Sequence, residues 1–366
     1  MLKRIEKAVK IFLYIFIKLI FHNEQRPLPI NHSNVKKILI LRYDVIGDMI
    51  VTMPAIDLLK QNLAQSEIHI VCSESNFSVI KNDNRISKIF ILEKNLLKRI
   101  KQLLRIRKEQ YDLVFAFVFN RTTSAGFIAN LAANKNTPKI NIHNNGREKM
   151  YSTFFNVLID IYGYRNNFTM AELLVTIVCK TFAWKEPVTP ILINLQLSQK
   201  NLDFADNFIK QNKLDKYSIL NISSAKNNRQ LSTEKNIELI KRMFEKDNKT
   251  KLVITSLPKE IEKARLIKSF FAERIELCPV TYDILDIAAV ISKSELVITP
   301  DTSVTHISAA FCKPVVLLNS SLGDGIREWA PLGSKSIIVS TEDRKALEFI
   351  DINEVAAAFF KLKSIV

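Results

Sequence analysis

The stretch Glu295–Ser320, ELVITPDTSVTHISAAFCKPVVLLNS, decides the fold. Leu296–Thr299 is an apolar run of strand-forming residues, too short for a helix. Pro300 stops it, and Asp301, Thr302 and Ser303 supply helix-capping side chains. Val304–Ala310 has the small, apolar spacing of a helix packed on a sheet. Lys313-Pro314 breaks that helix, and Val315–Leu318 starts the next buried strand. Strand, turn, helix, strand is the unit of an open α/β sheet, where ligands lie beyond the carboxyl ends of the strands. The positive end of a helix at that edge suits a phosphate. Asp301, Thr302, Ser303 and His306 are therefore candidates for a sugar-phosphate site. The same residues also fit a plainer arrangement, with Asp301 a cap and His306 a packed core residue.

The chain has 366 residues, enough for about two domains. Hydrophobic residues at 47% and charged residues at 25% describe a globular protein able to bury a core. The net charge of +16 implies an anionic partner: nucleic acid, an acidic membrane surface or a phosphorylated substrate. No stretch interleaves basic and aromatic residues as a nucleic-acid reader does, which sets that partner aside. Cys72, Cys179, Cys278 and Cys312 are scattered, as free thiols in a reducing compartment are. The five histidines show no metal-ligand spacing, so no metal or cofactor is expected. The seven glycines form no phosphate loop, so helix ends, hydroxyls and cations must hold any phosphate.

Upstream, residues 1–21 read as an amphipathic helix. Lys3, Lys7, Lys10 and Lys18 fall within about 80° of arc, beside Arg4. Leu2, Ile5, Phe12, Leu13, Phe16, Leu19 and Ile20 lie opposite. Its apolar run is too short to span a bilayer, and no small-residue cleavage site follows it. A place in the membrane interface is expected; docking on the protein's own core or on a second subunit is the other choice. Lys37–Leu41 is a strand, Arg42–Asp48 a loop in which Gly47 meets a demanding backbone position, and Ile50–Leu63 mostly helix. Asp48, where loop becomes helix, can cap the helix or accept a proton, and Asp44 competes for either role.

Ile68–Cys72 and Ile86–Leu92 are further strands. Lys94–Lys108 is a strongly basic helix anchored by Leu96, Leu97, Ile100, Leu103, Leu104 and Ile106. Tyr111–Phe119 is a strand ending in the polar cluster Asn120–Ser124, which includes Arg121. Residues 141–169 are irregular and basic, with Arg147. Ala171–Phe182 is helical, and residues 185–190 connect two domains. The second half repeats the alternation: helix Leu202–Gln211, strand Tyr217–Ile222, helix Thr233–Phe244 capped by Thr233, strand Lys251–Thr255, helix Ile284–Ile291 and a closing helix Ile350–Leu362. Ser223, Ser224, Lys226 and Arg229 precede a helix start and make either a diphosphate cradle or an exposed basic loop.

KKILILRYDVIGDMIVTMPAIDLL near the start and ELVITPDTSVTHISAAFCKPVVLL with REWAPLG near the end together resemble the lipopolysaccharide heptosyltransferases, glycosyltransferase family 9. YDLVFAF, NISSAKNNR and SLPKE agree more weakly, and the resemblance spans roughly residues 35–345. It implies an α/β GT-B fold of two Rossmann-like domains facing a central cleft. The expected parts are a helix and linker over 1–34, an acceptor domain over 35–187, a donor domain over 188–345 and a closing helix over 346–366. It implies an inverting, metal-independent transfer of heptose from ADP-heptose to the lipopolysaccharide inner core, on the cytoplasmic face of the bacterial inner membrane. A transferase for another nucleotide-sugar, or a non-catalytic relative that binds sugar nucleotide or lipid, are the other expectations. By resemblance Asp48 is the general base. Asp301, Thr302 and His306 hold the donor, Lys226 or Arg229 meets its phosphate, Glu260 its ribose, and Ser223, Ser224 and Ser303 line the same site. Gly47, Arg121 and Arg147 are assigned to the acceptor. Ser303 stands where the family's motif continues with glycine.

Overall fold

The structure, a computed structural model, describes residues 15, 17–21, 23–119, 123–143, 148–164, 167–188, 190–271, 273–320, 327–342 and 345–365. The chain divides into two compact units. One is drawn from residues 1–45, 54–165 and 172–188, the other from 46–53, 166–171 and 189–366.

The first unit carries six parallel strands: β1 (Lys37–Arg42), β2 (Glu67–Cys72), β3 (Lys88–Ile91), β4 (Leu113–Ala116), β5 (Lys139–Ile142) and β6 (Val157–Ile159), in the order β3-β2-β1-β4-β5-β6. Chain order runs on through helices α1 (Ile46–Ile50), α2 (Met53–Asn62), α3 (Phe77–Ile80), α4 (Leu96–Arg107), α5 (Ser124–Ala132), α6 (Glu148–Phe154) and α7 (Met170–Phe182). Of these, α1 falls in the second unit, together with the first residue of α2 and the first two of α7. Ile38–Leu41 of β1 are wholly buried, as a strand covered on both faces must be.

The second unit has α8 (Gln199–Gln211), β7 (Ser218–Asn221), α9 (Thr233–Lys246), β8 (Leu252–Thr255), α10 (Ile261–Ser269), β9 (Ile275–Leu277), α11 (Ile284–Ser292), β10 (Val297–Pro300), α12 (Ser303–Ala310), β11 (Val315–Asn319), β12 (Ser336–Ser340) and α13 (Ile352–Lys363). Its strand order is β12-β11-β10-β7-β8-β9. Counted from its own first strand, each sheet reads 3-2-1-4-5-6, the doubly wound order. The expected α/β class with two Rossmann-like sheets is thus present.

Several expectations are corrected. Residues 141–169 are not irregular, since β5, α6 and β6 run through them. The pattern is hidden because β5 buries Lys139 and Asn141. The carbonyls of Asn134, Lys135 and Thr137 and the Asn23 side chain surround the Lys139 ammonium at 2.9–3.2 Å, and burial pushes its pKa down to about 8. Of the polar cluster 120–124, residues 120–122 lie outside the described residues; Thr123 and Ser124 open α5, whose Gly126 lies flat against the Phe154 ring. In α4 only Leu103 and Ile106 are buried, while Leu96, Leu97 and Leu104 face solvent. Ser232, not Thr233, caps α9, its hydroxyl accepting from the Lys235 amide at 3.1 Å.

Most of the amphipathic helix expected over residues 1–21 lies outside the described residues. Its described end docks on the protein's own core: Ile17 is fully buried, and the Phe21 ring sits 5.5 Å from Phe127 and 5.9 Å from Phe154. Asp44, the expected rival of Asp48, faces the buried Arg42 guanidinium at 3.4 Å. Ser73 Oγ donates to its carbonyl at 2.9 Å, and Asn76 Nδ2 donates to the Arg42 carbonyl at 3.0 Å.

The closing helix α13 belongs to the second unit's core, through Val355, Phe359 and Leu362. Its Lys363 donates to Asp247 at 2.7 Å, joined by the Lys249 amide at 2.9 Å and the Thr250 hydroxyl at 2.8 Å. These donors, Lys363 first, hold the Asp247 carboxyl well below the usual carboxylate range. A carboxyl with a depressed folded pKa stabilises the fold above its unfolded pKa of about 3.9, and that contribution disappears as pH falls through the folded value. Asp247→Asn should therefore melt lower than the parent at pH 7, with the gap closing well below about pH 4. Melting temperatures across that range measure it, and a gap independent of pH would contradict the assignment.

Candidate functional site

In a doubly wound sheet the crevice opens where the strand order reverses, between the first and fourth strands. In the second unit these are β7 and β10, paired in parallel with Val297 opposite Ile219. Asn221 ends β7, and its side-chain amide bridges to Thr299 Oγ1 at 3.0 Å, Thr302 Oγ1 at 3.2 Å and the Ser223 carbonyl at 3.2 Å. One buried amide thus ties the two strand ends together.

Beyond β10 the chain enters α12. Thr302 is its N-cap, with Oγ1 accepting from the Val304 amide at 3.3 Å. The capping expected of Asp301 therefore falls to Thr302. Asp301 turns to Arg229 instead, with Oδ2 2.7 Å from Nη1. Burial pushes the Asp301 carboxyl up, against the pull of Arg229 and then Lys226. Ser303 is the first residue of α12 and is half-buried. Thr302 and Ser303 hydroxyls, the α12 amino end and a guanidinium held by its own carboxylate make an anion cradle.

The loop after β7 supplies the rest. Ser223 Oγ accepts from the Leu257 amide at 2.8 Å and so fixes the loop after β8. Gln230 Nε2 donates to the Ser224 carbonyl at 2.7 Å and to Glu260 Oε1 at 3.3 Å, which brings Glu260 to the same edge. Lys226 is exposed. The structure thus gathers Ser223, Ser224, Arg229, Glu260, Asp301, Thr302 and Ser303 at one sheet edge. Arg121 and Arg147 lie outside the described residues. Sequence reasoning passed over Asn221 and Gln230. A polar residue closing an otherwise apolar strand run, Ser-Ile-Leu-Asn, was the available sign for Asn221.

Gly47 and Asp48 lie in the first turn of helix α1, not in the expected loop. Gly47 meets no strained backbone; it makes room. A Cβ there would stand 3.1 Å from His306 Cδ2 and 3.7 Å from Ser303 Cα. α1 therefore packs directly on α12, and Asp48 follows Gly47 in a segment that belongs to the second unit, not the first. Asp48 is half-buried, and its carbonyl accepts from Thr52 Oγ1 at 2.8 Å. His306, 4% exposed, meets the Trp329 ring edge-on at 6.0 Å. The Trp329 loop is turned by Gly333 at φ +76°, a conformation that favours glycine. A carboxylate, a buried imidazole and the cradle described above are thus linked by packing within one unit. Among the described residues no group of His, Cys, Asp and Glu side chains is placed to hold a metal ion, and no helix is long and apolar enough to cross a membrane.

Residues 99–354 match the family model described as glycosyltransferase family 9 (heptosyltransferase). No curated protein matches the chain in sequence. Among solved structures, a glycosyl transferase family 9 protein from Veillonella parvula is similar at 16% identity and TM-score 0.74, covering 94% of this chain and 100% of its own. The E. coli ADP-heptose lps heptosyltransferase II is similar at 15% identity and TM-score 0.72, covering 90% and 99%. E. coli heptosyltransferase WaaC with ADP is similar at 17% identity and TM-score 0.69, covering 89% and 99%. At these identities the likeness is one of fold.

Proposed function

Because the chain belongs to glycosyltransferase family 9 and is a glycosyltransferase, we propose that it moves heptose from ADP-heptose to the lipopolysaccharide inner core, with inversion at the anomeric carbon. The observation that carries the donor half is the Arg229–Asp301 pair at the amino end of α12, at the switch point of the second sheet. A similar fold was solved with ADP. Asp301 aims Arg229 through Nη1, which leaves the other guanidinium N–H groups for diphosphate oxygens. Glu260, at the same edge, receives the ribose.

Asp48 takes the proton of the acceptor hydroxyl as its oxygen attacks the anomeric carbon from the face opposite the diphosphate. The new C–O bond forms as the bond to the diphosphate breaks. Arg229, Lys226 and the helix end take up the leaving group's growing charge, and the step draws on no metal or cofactor. The acceptor is a phosphorylated lipid, drawn by the positive charge of the chain, and the enzyme works as a peripheral protein on the cytoplasmic face of the inner membrane.

Thermal shift of the purified protein against ADP-, UDP-, GDP- and CMP-sugars tests the donor. ADP-heptose should give the largest shift. Ser303, where the family's motif carries glycine, favours a second reading in which another nucleotide-sugar wins that screen. Arg229→Ala should weaken donor binding by about 10- to 100-fold through the lost charged hydrogen bond. Unchanged affinity in a titration would remove Arg229 from the site.

A further inference from the structure

We propose that the outward face of α4 docks on an anionic lipid bilayer. The basic residues of this helix divide into two sets. Arg99 and Arg107 are turned onto backbone: Arg99 donates to the carbonyls of Glu93 at 2.6 Å and Lys94 at 3.1 Å, Arg107 to those of Ala133 at 3.0 Å and Asn130 at 2.9 Å. Lys98, Lys101, Arg105 and Lys108 are exposed and have no acidic partner among the described residues. At 100° per residue all four fall within about 100° of Leu97.

Leu97 and Leu104, seven residues apart, project within about 20° of each other. They are 71% and 43% exposed, and Leu96 at the helix start is 65% exposed. From Leu96 to Lys108 there is no carboxylate. The face is therefore an apolar strip flanked along one side by unneutralised cations. A purely apolar partner would leave the cations uncompensated, and a purely anionic one would leave the leucines wet. Headgroups above acyl chains satisfy both at the depth of one side chain.

A second element of the same unit adds to it. The core cluster that holds α4 through Leu103 and Ile106 also takes Ile17, and Ile15, Leu19 and Ile20 next to it stay exposed. The use of such docking rests on the reading of a membrane-held acceptor, but the docking itself does not.

Sedimentation of the full chain with phosphatidylglycerol–phosphatidylcholine vesicles tests it, with phosphatidylcholine vesicles alone as reference. The parent should bind the anionic vesicles. Reversing Lys98, Lys101 and Arg105 to Glu should weaken partitioning on the order of 100-fold. Leu97→Ser with Leu104→Ser should weaken it about tenfold or more. Reversing the exposed Lys200, Lys210 and Lys213 of the second unit to Glu should cost much less. Equal losses in the two charge-reversed proteins would reduce the effect to overall charge and overturn the proposal. So would serine variants that bind like the parent, or that change the chain's mass in solution without vesicles, which would make the face an interface between copies. Each variant's thermal shift with sugar nucleotide reports whether it is folded. Vesicle binding in a protein that answers to no sugar nucleotide would leave the docking standing and strike the transfer reading alone.

Discussion

Asp48→Asn should lower kcat by about 10²- to 10⁴-fold, the usual worth of a positioned general base, with donor affinity nearly unchanged. The substitution keeps the side chain's size and removes its ability to accept a proton. The backbone carbonyl of Asp48, which receives the Thr52 hydroxyl, is untouched, so α1 should stay folded. Stopped turnover assays for kcat and a binding titration for donor affinity separate the two quantities. Loss of both together would mean that the variant disturbs the packing of Gly47 on His306. Full turnover would remove the base from this stretch altogether, because Asp44, the other carboxylate of the stretch, already faces Arg42.

Gly126→Ala should be the most damaging small substitution in the first unit. The added carbon would fall 2.2 Å from Phe154 Cγ and 2.4 Å from Cδ2, well inside any real contact. The ring has little room to retreat. Phe154 is fully buried, with Phe127 at 5.2 Å, Phe21 at 5.9 Å and Phe155 at 6.4 Å. The backbone is held as well: Asn130 Nδ2 donates to the carbonyls of Gly126 at 2.8 Å and Phe154 at 2.9 Å, and Asn23 Nδ2 donates to Asn130 Oδ1 at 2.8 Å. Overpacking of this kind costs about 3 kcal/mol, or roughly 10 °C of melting temperature for a unit of this size. Adding Phe154→Leu should recover part of the loss, and the double-mutant cycle should show strong coupling. A variant melting with the parent would contradict the close approach.

The parts of the fold visible in the sequence are those where burial and hydrophobicity coincide. β1 beyond Lys37, β7, β10 and β11 are buried along their length around apolar centres. β5 escaped because a buried lysine and asparagine look like surface; the Lys139 ammonium is met by carbonyls two to five residues back and by the distant Asn23 side chain, and the Asn141 amide by the Ala116 carbonyl of β4. The exposed leucines of α4 misled in the opposite direction, since periodicity cannot say which of two apolar strips faces the core. At the site, Asp301, Thr302 and Arg229 were legible as types suited to a phosphate. The pairing of Arg229 with Asp301 and the bridging by Asn221 join residues more than 70 positions apart, which no local spacing reveals. The transfer of the capping task from Asp301 to Thr302 depends on one backbone turn, finer than any spacing rule.

The assignment of residues 46–53 and 166–171 to the second unit bears on how this protein can be cut. A fragment beginning at 189 would lack two pieces of its own body, among them the helix that covers His306 and Ser303. Expressed alone, such a half would bare the apolar side of α12 and should be poorly soluble. A grafted copy of 46–53, supplied as a peptide or a permuted terminus, is what an isolated sugar-nucleotide module from this chain would need.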